Sequence, residues 1–166
     1  MARCVFFSFH YSRDVWRVNQ IRNSWVTQQN RSAGFIDAAD FEAVRRRGES
    51  AVRAWIDRQL NGTTVTAVLI GQQTASRDYV HYEIERSVDR DNGFVPIYIH
   101  KLRNQKGETN WFAGDNPLEQ HEDEENSSFF WSSTFADRYP AYDWVDDDGY
   151  ENFGDWVEEA YRIARD

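Results

Sequence analysis

The chain has 166 residues and a formal net charge of −9 at neutral pH, with 40% hydrophobic and 16% aromatic residues. That length suits one ordinary domain with a real core, while the acidic balance speaks against a duplex nucleic-acid or membrane-surface binder, whose partners demand a basic face. Cys4, the one cysteine, forbids an internal disulfide and with it a stapled secreted scaffold; its apolar neighbours predict a buried thiol.

No run approaches the ~20 apolar residues of a membrane helix. The stretch from Val5 to Phe9 is too short for a signal peptide and is followed at once by His10 and Arg13. The cytoplasm is the expected compartment.

Val5-Phe6-Phe7-Ser8-Phe9 is nearly continuous in apolar residues, as a strand buried on both faces should be. A loop around Tyr11 to Arg13 follows, and Asp14 opens a helix with Val18, Ile21 and Trp25 on one side. Gly34-Phe35-Ile36-Asp37 predicts a weak second strand, and Ala38 to Arg47 a loop with some helical turn. Val52, Trp55, Ile56 and Leu60 form the stripe of the next helix, which Asn61-Gly62 ends through a left-handed cap. Thr63 to Ile70, β-branched and closed by Gly71, is the clearest strand. A helix from about Arg77 to Asp89 faces Val80, Ile84 and Val88 inward, Asp91-Asn92-Gly93 makes a turn, and Phe94 to Ile99 is another buried strand.

Alternating strands and helices predict an α/β fold: an open parallel sheet of flavodoxin-like order 2-1-3-4-5 with helices on both faces. The domain spans 1–166 and carries an irregular insertion at about 101–141, which holds His121-Glu122-Asp123-Glu124-Glu125 and Phe129-Phe130-Trp131. Tyr142 to Val145 is the expected edge strand. Phe153, Trp156, Val157, Ala160 and Ala164 mark a closing amphipathic helix.

In such a sheet the ligand sits beyond the strands' carboxyl ends, where strand order reverses. That point lies between the first and third strands, and it receives Ser8, Phe9 and His10 together with Gly71 to Ser76. Glu83 lies about two turns into the following helix, on the flank of the apolar stripe, where a carboxylate can reach over the sheet edge. The plainer alternatives are that Glu83 pairs with Arg86 or Ser87 on its own helix, that His10 is a hydrogen-bonded fixture and that Ser8 satisfies a backbone group. The histidines lack metal-ligand spacing, and no nucleophile elbow, P-loop or G-x-G-x-x-G is present. No metal is therefore expected, and the acidic run reads as a solvated loop.

Val5-Phe6-Phe7-Ser8-Phe9-His10-Tyr11, with Asp14 and Arg17 downstream, resembles the TIR-like domains of bacterial Thoeris anti-phage systems, the ThsB group. Ser76-Arg77-Asp78-Tyr79-Val80-His81-Tyr82-Glu83-Ile84 resembles the helix bearing the catalytic glutamate of NAD-cleaving TIR domains, with Tyr79 as the aromatic residue four places before it. The resemblance covers roughly the first 100 residues. It implies a TIR-like fold, NAD as substrate, no separate cofactor, and cleavage at the nicotinamide–ribose bond to give a cyclic ADP-ribose-type signal. It further implies a separate ThsA-like effector that reads the signal, a phage-derived trigger and self-association. On that reading Glu83 is catalytic, Phe9 and Tyr79 stack on rings, and Ser8, His10 and Ser76 contact ribose or phosphate. Helix N-terminal amides near Ser76 and Arg77 would face the pyrophosphate, and the aromatic insertion or a second subunit would shield the site from water. Tyr79 stands where many TIR domains have tryptophan, and the 38–47 stretch takes the place of their mobile loop. The alternative is a TIR-like binding or scaffold module without turnover.

Overall fold

The computed structural model describes residues 3–27, 31–33 and 38–166. Its sheet has five strands in the order β2-β1-β3-β4-β5: β1 (Cys4–Ser8), β2 (Arg31–Ala33), β3 (Val65–Ile70), β4 (Gly93–Tyr98) and β5 (Tyr142–Asp143). Every pairing is parallel. This is the expected order. All six residues of β3 are buried, as a central parallel strand requires.

Side-chain alternation along β1 sorts the helices into two layers. Phe7 points toward α1 (Tyr11–Thr27) and α6 (Gly149–Ile163), packing with Phe153, which in turn meets Trp25 at 4.9 Å. Phe6 points the other way, into Val52, Trp55, Ile56 and Leu60 of α3 (Glu49–Leu60). Ser8, two residues after Phe6, shares that second face with α3 and α4 (Asp78–Val88). The alternation therefore decides which layer holds the polar end of the strand.

Several local expectations change. Gly34-Phe35-Ile36-Asp37 lies outside the described residues, and the strand beside β1 is Arg31–Ala33. The 38–47 stretch is no loop: Ala38–Arg46 forms a regular helix, α2, whose Val44 packs on the α3 cluster. Helix α1 starts at Tyr11, ahead of Asp14. Cys4 is half-buried, because it opens the strand at the sheet's margin. After α3, Gly62 takes the left-handed conformation at φ +78°.

The turn before β4 is carried by Asp91 at φ +55°, while Gly93 is the strand's first residue. Gly93 is needed for close approach: a Cβ there would stand 2.1 Å from the Ala160 carbonyl oxygen of α6. Gly93→Ala should force α6 off the sheet and lower stability by about 1–3 kcal/mol, read as a lower denaturation midpoint. An unchanged midpoint would mean that strand and helix backbones do not meet there.

Between β4 and β5 the chain forms one 3-10 turn (Pro117–Gln120), a bridge-closed hairpin (Glu122 to Thr134, Ser128 to Trp131) and the short helix α5 (Phe135–Arg138). No described helix is long and apolar enough to cross a membrane.

Candidate functional site

Ser8 ends β1 and Glu83 lies in the second turn of α4, so the two meet at the reversal of strand order, between β1 and β3. The Ser8 hydroxyl donates to Oε2 of Glu83, and both side chains are buried. Burial pushes the Glu83 carboxyl up to about 8 from an ordinary 4.5, and the Ser8 hydrogen bond offsets only part of that. Neither plainer pairing of the Glu83 carboxyl holds. Arg86 is taken by Asp57 at 2.9 Å and Asp89 at 2.7 Å, and the Ser87 hydroxyl donates to the Glu83 carbonyl, not its carboxyl. Among the described residues Glu83 has no cationic partner.

A directed chain of buried hydrogen bonds fixes the backbone that carries Glu83. Asn92 Nδ2 donates to Thr66 Oγ1 on β3 (3.1 Å), and Thr66 lies 2.7 Å from Ser87 Oγ. Since the Ser87 proton goes to the Glu83 carbonyl (2.7 Å), Thr66 is the donor to Ser87. Each group in this chain has its place only if helix and strand keep one register.

Glu83 forms part of the wall of a cleft with Phe9, Tyr11, Phe41, Arg77, Tyr79 and Val80. The rings fill it: Phe9 stacks on Tyr11 at 4.6 Å, and Tyr11 on Phe41 at 4.1 Å with planes 7° apart. About 20 Å³ of free space remains, room for roughly one water.

Of the residues expected at the site, Phe9, Tyr79 and Glu83 therefore share one cleft, and Ser8 lies behind Glu83 as its hydrogen-bond partner, not in the lining. His10 does not line it. The residue precedes α1, and its Nδ1 accepts from the Arg13 amide (3.3 Å), capping the helix. Burial, then the Arg77 and Arg13 charges, lower its affinity for a proton. Ser76 is also outside, exposed and with its hydroxyl donated to the Gln73 carbonyl at 2.8 Å. Tyr11, Phe41 and Arg77 were missed as lining residues. Phe41 and Val44, three apart on α2, are the signal that would have found the helix bringing Phe41 there.

Residues 6–104 match the family model of the Thoeris protein ThsB, TIR-like domain. The chain belongs to the Thoeris ThsB TIR-like family. It is also 33% identical over 192 aligned positions to a protein of Bacillus cereus (strain MSX-D12) named "Putative cyclic ADP-D-ribose synthase ThsB1"; the match covers 95% of this chain and all of that one.

In this TIR-like chain Asp14 and Arg17 prove structural. They form a buried ion pair (3.2 Å), and Arg17 also holds the carbonyls of Leu102 and Glu108, fastening the loop after β4. The Asp14 carboxyl leaves no room for a side chain at Gly71, where a Cβ would stand 2.2 Å from it. The segment after residue 104 attaches to α4 through two histidines. His81 Nε2 donates to the Ala75 carbonyl (2.6 Å), and its Nδ1 shares a hydrogen bond with His121 Nε2 (2.8 Å). Burial, then the neighbouring His81, lowers the His121 pKa to about 4, so His121 is neutral across physiological pH. Phe129, Phe130 and Trp131 stand exposed at the hairpin tip and are not among the residues that line the cleft.

The buried carboxyl has a stability signature. The folded state keeps the Glu83 proton up to about pH 8, whereas an unfolded glutamate loses it near 4.5, so this group's contribution to stability falls as pH rises between those values. Glu83→Gln removes the titration. From pH 5 to 8.5 the wild type should lose stability relative to the variant, by a few kcal/mol as an order of magnitude, in paired denaturation curves. Parallel curves would show that the carboxyl is already ionised in the folded protein.

Proposed function

We propose that this chain cleaves NAD at the nicotinamide–ribose bond and closes the remaining ADP-ribose into a cyclic signal. The observation that carries this reading is a buried carboxyl, held by Ser8 and without an ion-pair partner among the described residues, at the sheet's switch point. The family membership and the relative's name as a cyclic ADP-D-ribose synthase support it.

The chemistry needs little from the protein. The C1′–N1 bond breaks heterolytically, its electron pair goes to the pyridinium nitrogen, and nicotinamide leaves neutral without protonation. C1′ becomes oxocarbenium-like, and a single anion beside it lowers the barrier. Glu83 supplies that anion. At rest the group keeps its proton; the cationic nicotinamide ring of bound NAD favours the ionised form, so charge develops where the substrate's own charge compensates it. An internal nucleophile of the ADP-ribose then forms the new bond to C1′ and releases its proton, provided that water is kept away.

Phe9 and Tyr79 offer ring faces beside Glu83. The filled cleft implies that Tyr11 and Phe41 separate to admit a dinucleotide, with α2 as the element that moves. Ser8 acts through Glu83, and this replaces direct ribose contact as its role; His10 and Ser76 have no part in binding on this reading. The product would act in the cytoplasm on a separate ThsA-like effector, with a phage-derived cue or self-association setting when turnover begins.

Glu83→Gln keeps shape and removes the charge. Nicotinamide release from NAD, followed by chromatography with mass spectrometry of the second product, should fall by about a hundredfold or more. Turnover by the variant at the wild-type rate would remove Glu83 from the chemistry.

A further inference from the structure

Three arginines stand near the carboxyl ends of β1 and β3, and their engagements differ. Arg17 is buried against Asp14 and two loop carbonyls. Arg13 gives its guanidinium to the Gln72 side chain at 2.6 Å. Arg77 is half-buried at the start of α4; its guanidinium has no hydrogen bond or ion pair among the described residues, yet the residue lines the same cleft as Glu83, Phe9 and Tyr79. In a chain with 28 acidic residues against 19 basic ones, a cleft cation without a carboxylate is a notable exception.

We infer that the Arg77 guanidinium is the specificity group for the pyrophosphate of the dinucleotide. This rests on the reading of the cleft as the NAD site. Arg77 precedes Glu83 by six residues, about 9 Å along a helix axis at 1.5 Å per residue. In the substrate a handful of covalent bonds separates C1′ from the nearer phosphorus, and the arginine side chain is long enough to cover the remainder. With Glu83 beneath the ribose, a phosphate therefore falls within reach of the guanidinium, whose planar fork matches phosphate oxygens in pairs.

Electrostatics point the same way. The protein's net charge repels a pyrophosphate at long range, so selection must come from a local cation. Nearby His10 does not serve, being buried, committed to the α1 amide and disfavoured as a cation by Arg77 itself. The Ser76 hydroxyl is turned back on Gln73. Arg77 thus performs the phosphate recognition that His10 and Ser76 leave vacant, and it distinguishes nucleotides from uncharged nicotinamide compounds.

The test is NAD binding to Glu83→Gln protein, which separates binding from turnover, by calorimetry at several salt concentrations. Adding Arg77→Ala should weaken binding about ten- to a hundredfold and flatten its salt dependence, since a charge contact that solvent still reaches is screened by salt. Arg77→Lys should recover part of both. Equal NAD affinity with and without Arg77, a weakening with the salt dependence unchanged, or no NAD binding at all each overturns the inference. Failure of the catalytic reading looks different: Arg77-dependent NAD binding by a wild-type protein that releases no nicotinamide would leave Arg77 its role and take Glu83's away.

Discussion

A carboxyl group withdrawn from water and answered by one hydroxyl is the constraint around which this molecule is arranged. An ionised glutamate in such surroundings is costly, and proteins usually avoid the cost by pairing it with a cation or by protonation. Here Arg86, one turn away on the same helix, is drawn outward to Asp57 and Asp89, and among the described residues Ser8 is the one that hydrogen-bonds the carboxyl. The group is left proton-bound and poised. A substrate carrying its own positive charge can discharge it, and one without that charge has less to offer.

The fold keeps this arrangement in place. Ser8 reaches Glu83 because it shares a strand face with Phe6, whose ring is locked into α3. Glu83 stays opposite Ser8 because the Asn92–Thr66–Ser87 chain fixes α4 against β3. On the outer side of α4, the His81–His121 pair attaches the long segment between β4 and β5. The rigid parts thus surround the carboxyl from below and behind. The opposite wall is made by stacked rings on α1 and α2, where Tyr11 and Phe41 meet face to face.

How much of this was legible in the sequence follows from the range of each interaction. Val65 to Ile70 announces itself as a buried strand because the signal is local and continuous, and the alternation of such runs with helices leads to the observed strand order. Glu83 and Phe9 could be brought to one place from topology and helical phase, and the resemblance to NAD-cleaving TIR domains added Tyr79. The Ser8–Glu83 bond could not, since its partners are 75 residues apart and meet only if strand phase and helix rotation are both known. His10 and Ser76, which the family resemblance offers as substrate contacts, sit at element ends, where short-range hydrogen bonds engage their side chains. Helix α2 was hidden by its arginine-rich end, which masked the Phe41–Val44 spacing and with it the outer wall of the cleft.

The central claim is that the ionisation of one buried glutamate governs NAD cleavage, and the dependence of kcat/KM on pH tests it most directly because that ratio reports the free protein. The account predicts nicotinamide release that is weak near pH 6, climbs with pH through an apparent pKa near 8 and levels off above it. A profile that is flat across this range, or that falls as pH rises, would contradict it.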